Sequence, residues 1–183
     1  METKIYNYDS IDEDNIEKTI IRVKALIINS NNEILVGYSH DTYQFIGGHI
    51  EENEDKIEGL KREIEEESGI VIDEEPIKLF FIRKKYVKDY PVVNSNRCYE
   101  YYYYVINTNK IPNLSNVHYT ENEQEGNFKL QYISLGNIEE KFEENKKVSE
   151  YTETIQTENL ETIKIYKYLI KSNKIWFFLY NML

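Results

Sequence analysis

Three glutamates, Glu63, Glu66 and Glu67, fall within one helical turn of the segment 48–70, GHIEENEDKIEGLKREIEEESGI. At spacings i, i+3 and i+4 their side chains stand on one helix face. Like charges placed this way repel by roughly 0.2–0.5 kcal/mol per pair, so a positive charge over the cluster relieves a cost. Oxygen-only donors suit a hard divalent cation, Mg²⁺ with Mn²⁺ as a substitute. His40, His49 and His118 lack the spacing of zinc ligands, and the D-x-[DN]-x-[DN]-G calcium loop is absent.

The surrounding segments have to position those acids. Residues 20–28, IIRVKALII, are rich in β-branched side chains and read as a buried strand. Ser30, Asn31 and Asn32 form a turn, and residues 33–38 a second strand that closes a hairpin. A polar loop at 39–42 and a short apolar run at 43–46 lead into Gly47-Gly48. The helix is expected from about Asp55, where Asp55 and Glu58 have capping-box spacing, to Gly69, a C-terminal glycine stop. Ile57, Leu60 and Ile64 give it an apolar stripe, and the acids lie beside that stripe, at the rim of a core. Gly59 falls on the acid face; it either clears space for ions, phosphates or a loop, or allows tight helix–strand packing.

Further strands are expected at 77–87 and 97–106, a long polar loop at 107–127, a short strand at 129–134, and helices from Ile138 and around 160–171. In YEYYYY, 99–104, Tyr99, Tyr101 and Tyr103 share one face, while Tyr102 and Tyr104 share the other; these rings pack across strands or stack on a base. In Arg83-Lys84-Lys85, alternation turns Lys84 away from its neighbours, and a solvated strand end is expected. The order of elements predicts an α/β fold, a mixed sheet with helices on both faces. One domain is expected over 1–183, with a core at about 18–171, an acidic N-terminal extension and an apolar C-terminal tail, IWFFLYNML. The tail is expected to pack on its own domain, with a homodimer contact and then a membrane foot as the alternatives.

A net charge of −11 argues against bulk gripping of nucleic-acid backbone. The longest apolar stretch, 175–180, is too short to cross a bilayer, and the acidic N-terminus is no signal peptide. One cysteine, Cys98, excludes an internal disulfide and points to a reducing compartment, the cytoplasm.

The 48–70 segment resembles the Nudix box, G-x5-E-x7-R-E-U-x-E-E-x-G-U with U apolar. The matching residues are Gly48, Glu54, Arg62, Glu63, Ile64, Glu66, Glu67, Gly69 and Ile70, so every fixed position is filled. The family often has proline where Ile46 stands and alanine where Gly59 stands. The resemblance implies a Nudix-type α/β/α sandwich. It also implies hydrolysis, with a divalent metal, of a nucleoside diphosphate linked to another group. Such a bridge carries several negative charges, which metal ions neutralise while activating water.

By the same resemblance, Glu66 and Glu67 are metal ligands, Glu63 is a ligand or the general base, and the Gly47 carbonyl is a further ligand. Arg62 orients the glutamates, with Glu54 as its partner. A further acid comes from the loop before the last strand, where Glu121, Glu123 and Glu125 lie and Glu125 fits best. His49, after the double glycine, is placed to reach a substrate phosphate. Tyr86 resembles the tyrosine of the dinucleoside-polyphosphate group. The alternative reading is a Nudix-fold nucleotide-binding or sensor module without turnover.

Overall fold

A computed structural model describes residues 1–172; the apolar tail expected to pack on the domain lies outside the described residues. The long apolar run becomes β2 (Lys18–Ile28), the centre of a mixed seven-stranded sheet. The other strands are β1 (Glu2–Tyr6), β3 (Glu33–Ser39), β4 (Thr42–Phe45), β5 (Lys78–Val87), β6 (Arg97–Asn107) and β7 (Lys129–Ser134). The sheet order is β1-β5-β6-β2-β3-β4, with β7 on the other side of β3. β1 pairs parallel with β5 and β2 parallel with β6; the remaining pairs are antiparallel. The first residues, expected as an acidic extension, thus supply an edge strand.

Both faces of the sheet are covered, which is why β2 is apolar nearly throughout. Val23, Ala25 and Ile27 pack with Leu60 and Ile64 of α1 (Lys56–Ser68) on one face. Leu26 and Ile28 pack on the other, with Phe142 of α3 (Ile138–Asn145) and Leu160 and Ile163 of α4 (Glu150–Lys171). The tyrosine run follows the same alternation, and both of its faces are core: Tyr103 and Tyr104 are both buried, in opposite clusters. Tyr103 stacks on Phe81 with centroids 5.4 Å apart, so cross-strand packing accounts for it.

One irregularity places the functional segment. β2 pairs with β3 only at Ile27–Leu35 and Ile28–Ile34. Beyond that point the two strands part, and the chain leaving β4 fills the gap. Ala25 N–H donates to Ile46 O at 2.8 Å, Val23 N–H to Gly48 O at 3.0 Å and Ile50 N–H to Ile21 O at 3.3 Å. The double glycine is therefore laid against the middle of the central strand.

The helix α1 starts where the sequence predicts, with Asp55 Oδ1 accepting from Ile57 N–H at 2.7 Å. Asp55 caps alone, without the expected Glu58 partner. Gly69 ends the helix in the left-handed region (φ +66), and its N–H donates to Glu65 O at 2.7 Å. The long loop is ordered by this helix end: Asn113 N–H donates to Ser68 O and His118 N–H to Glu66 O, at 2.9 and 2.8 Å. A short helix, α2 (Glu121–Glu125), closes the loop.

Arg83 corrects the expectation of a solvated strand end. Its side chain is 1% exposed and sits beneath α4. It donates to Tyr103 Oη at 3.1 Å, to Glu158 O at 2.8 Å and to Glu161 Oε2 at 2.7 Å, with the rings of Tyr6, Phe81 and Tyr103 around it. An arginine fork serves several acceptors at once, which ties α4 to β5. Because Glu158 and Glu161 keep some solvent contact, Arg83→Leu is expected to cost about 2–3 kcal/mol of unfolding free energy. Urea denaturation measures it, and a change under about 0.5 kcal/mol would refute this docking role.

Candidate functional site

A cleft of about 630 Å³ opens where the double glycine, α1 and the 118–128 segment meet. Its lining includes Glu63, Glu66 and Glu67 together with Gly47, Gly48, His49 and Arg62. The acids enter as the helical spacing predicts, from the side of α1 next to the Leu60–Ile64 stripe. Glu67 is buried, whereas Glu63 and Glu66 are half-buried.

Arg62 holds much of the set. Its Nε and Nη2 donate to the two oxygens of Glu54 at 2.8 and 3.0 Å, a bidentate pair. Nη1 donates to Glu63 Oε1 at 3.1 Å and Glu66 Oε2 at 2.9 Å, and Nη2 also reaches His49 O at 2.9 Å. The Arg62 hydrogen bonds hold the Glu54 carboxyl below its ordinary range. Burial pushes Glu63 up, with Arg62 opposing.

Glycine is required at two points. At Gly47 φ is +124, and a Cβ would lie 2.3 Å from Val23 O, so both the conformation and the approach to β2 exclude a side chain. At Gly59 a Cβ would lie 2.7 Å from both Glu54 Oε2 and Ile50 Cγ2. Gly59 thus clears space for the Glu54 loop to pack on the helix, the loop clearance within the first of the two readings the sequence left open, and not helix–strand packing.

Glu67 Oε2 accepts from Gly47 N–H at 3.0 Å. The carbonyl of the same glycine, in the next peptide, is held by a residue the sequence did not single out. Lys24 Nζ donates to Gly47 O, and to Phe45 O at 3.0 Å. Burial pulls the Lys24 ammonium down and pushes Glu67 up, while each charge opposes the shift of the other. A lysine within the buried apolar half of β2 is the signal that could have found it, since such a residue is almost never buried without partners.

Arg22, two residues earlier on β2, donates from Nε to His49 Nε2 at 3.0 Å. Burial, then Arg22 and Lys24, lower the His49 pKa to about 4, so its ring is neutral near pH 7. His49 does line the cleft.

Glu125 and Tyr86 stand elsewhere. Glu125 is exposed and does not line the cleft; Glu123, two residues earlier on α2, does. The Glu123 carboxylate accepts from Thr120 N–H at 2.7 Å, which turns it inward as half of a capping box. The T-x-x-E spacing of Thr120 and Glu123 carried that signal. Tyr86 is buried beside the 3₁₀ turn Glu13–Asn15, where its hydroxyl donates to Glu13 Oε1 at 2.6 Å. Phe128, His118 and Tyr151 complete the rim of the cleft.

The donor chemistry fits a hard divalent cation: carboxylate and carbonyl oxygens on one cleft wall, with no sulfur. Among the described residues, however, no three or more His, Cys, Asp or Glu side chains are gathered closely enough to hold a metal as they stand. Arg62 and the Gly47 N–H occupy the carboxylates, and Lys24 occupies the carbonyl.

A model of the NUDIX domain matches residues 18–152. No curated protein matches the chain significantly. Among solved structures, the chain is similar to a Caenorhabditis elegans Ap4A hydrolase in a binary complex, at 12% identity and a TM-score of 0.54, covering 84% of this chain and 98% of that one. It is also similar to the MutT protein of Bacillus halodurans, at 18% identity and a TM-score of 0.50, covering 66% and 72%. A third similar structure is the Escherichia coli ORF135 protein, at 18% identity and a TM-score of 0.50, covering 71% and 83%. At such identities the likeness concerns the fold.

Gly47→Ala tests the backbone approach. Strain at positive φ together with the clash on Val23 O is expected to cost at least about 2 kcal/mol of stability, read by denaturant unfolding. A variant as stable as the wild type would refute the close approach.

Proposed function

The chain belongs to the NUDIX domain family, and on that premise we propose that it hydrolyses the pyrophosphate linkage of a nucleoside diphosphate bonded to another group. A nucleoside triphosphate or a dinucleoside polyphosphate is the substrate class. The observation that carries this reading is that Glu63, Glu66, Glu67 and the Gly47 carbonyl share one cleft wall, facing two cationic side chains, Arg22 and Lys24.

Glu63, Glu66, Glu67 and Gly47 O would hold Mg²⁺, or Mn²⁺ in its place. When bound, a divalent cation neutralises phosphoryl oxygens and lowers the pKa of water. The chain's own residues do the rest. Arg62 releases Glu63 and Glu66 without losing its own anchor, because Glu54 holds it bidentately. A cleft carboxylate, Glu63 or Glu123, accepts the proton of the attacking water as the water oxygen bonds to phosphorus and the bridging P–O bond breaks. Arg22, braced by neutral His49, faces the phosphate chain. Phe128 and Tyr151 offer rings to the base.

Cys98 is a free, buried thiol, in keeping with the proposed reducing, cytoplasmic setting. No helix among the described residues is long and apolar enough to cross a membrane.

Because the acids are tied down as they stand, a nucleotide-binding module without turnover is the second reading. Hydrolysis decides between them. A panel of nucleoside triphosphates, dinucleoside polyphosphates, ADP-ribose, nucleotide sugars and 5′-triphosphate RNA, with Mg²⁺ or Mn²⁺, is expected to yield hydrolysis products from at least one member. No turnover across the panel favours the binding module.

In the active case, Glu66→Gln or Glu67→Gln is expected to lower kcat/KM by at least about a hundredfold while the fold survives, checked by kinetics alongside circular dichroism. A wild-type rate at saturating metal sinks that assignment. Metal binding should also depend on pH. The ligands act ionised, and burial raises Glu63 and pushes Glu67 up to about 8, so protons compete with metal at Glu67 up towards neutrality. Apparent Mg²⁺ affinity is therefore expected to rise from about pH 6 to about pH 8, with proton release seen by calorimetry in two buffers. An affinity flat across that range contradicts it.

A further inference from the structure

The backbone of Gly47 is gripped by opposite charges, one on the peptide before it and one on the peptide after it. Glu67 accepts its N–H, and Lys24 takes its carbonyl. Lys24 is 9% exposed and lines the cleft, and its second hydrogen bond goes to Phe45 O, at the end of β4 just before the glycines. Strand pairing fixes its stem, with Lys24 opposite Tyr103 of β6. No hydrogen bond other than those two carbonyl contacts is made by this ammonium among the described residues. After burial, the charge acting most strongly on it is Glu67, then Arg22 against it, then Glu63 and Glu123 in its favour. A buried cation therefore already sits among the acids, on the very oxygen wanted as a metal donor.

We infer that Lys24 is a resident cation that holds the place of the metal: it secures the Gly47 carbonyl and offsets the cleft acids in the metal-free protein, and it yields that carbonyl when a divalent ion enters. This rests on the metal-dependent reading above. A carbonyl oxygen cannot serve an ammonium and a divalent ion closely without bringing two cations together, and these repel. Lys24 can give up one acceptor and keep the other, because its four-carbon stem is flexible and Phe45 O remains in reach. Its presence sets the metal affinity of the cleft by competition. A lysine with a purely structural role would support the Gly47 turn and leave metal affinity untouched.

The test is calorimetric titration of metal-free protein with Mn²⁺, for the wild type and Lys24→Met, together with the melting temperature of each before and after metal. The expected result is a lower melting temperature for metal-free K24M and a Kd for Mn²⁺ about tenfold tighter, a factor ordinary for two linked sites. The rise in melting temperature on adding Mn²⁺ should also be larger in K24M than in the wild type. Wild-type binding with an unchanged or weaker Kd in K24M overturns this inference and leaves the metal-dependent function standing. Absence of binding to both folded chains overturns both.

A second measurement needs no variant. In wild-type protein carrying isotope-labelled lysine, the slowly exchanging Lys24 ammonium signal is expected to shift and exchange faster on adding Mg²⁺. A signal unmoved at saturating Mg²⁺ overturns the exchange of partners.

Discussion

Carboxylates crowded into a half-buried cleft repel one another, and the arrangement around them exists to keep that repulsion small. In the metal-free chain three groups do so. Arg62 bonds Glu63 and Glu66, Gly47 N–H bonds Glu67, and Lys24 supplies positive charge beside both Glu67 and Glu63. None of these partners is strong enough alone. Arg62 is itself shared with Glu54 and with a backbone carbonyl, and Lys24 spends its protons on carbonyls, not on the acids. The acids are held, but by bonds that can be exchanged.

That balance depends on backbone placement. The parting of β2 from β3 makes room for the 46–50 segment, and the resulting antiparallel contacts bring Gly47 against Val23 and Lys24. Only a residue without Cβ tolerates the approach and the positive φ. From there Gly47 faces Glu67 with its N–H, and α1 must stand at a fixed distance for the bond to form. The Leu60–Ile64 stripe, buried against β2, sets that distance. Packing of the apolar face thus decides where the charged face points.

Much of this was legible in the sequence, because helical spacing fixes relative positions within one element. Glu63, Glu66 and Glu67, the stripe beside them, the Asp55 cap and the Gly69 stop all follow from periodicity. What escaped depends on contacts between elements. Lys24 is not singled out by its local sequence, since nothing local says that two carbonyls will meet it. Glu123 lost to Glu125 in a loop read without its α2 turn, where a one-turn helix with a threonine cap aims one acid inward and leaves the other in solvent. The edge strand β1 has too short a pattern to stand out. Arg83 defeats local reading for the same reason: its partners, Glu158 and Glu161, lie on a helix more than seventy residues away.

Arg83 and Arg62 show why a buried ion pair alone does not mark a functional site. Each arginine serves several acceptors, at least two of them carboxylates. Arg83 is enclosed by three rings and the underside of α4, so its guanidinium has no solvent to turn to, although its carboxylates also meet Lys85, Lys4 and Tyr6. Arg62 keeps one partner, Glu54, whose loop is locked by Gly59, and shares the other two with an open cleft. The difference lies in which bonds can be released at low cost. Losing Glu63 and Glu66 leaves Arg62 still doubly bonded to Glu54, whereas losing Glu158 and Glu161 would strand a buried guanidinium. The same contrast applies to Lys24, which retains Phe45 O when Gly47 O is taken. A site able to accept a cation is thus one where each internal cation has a second anchor.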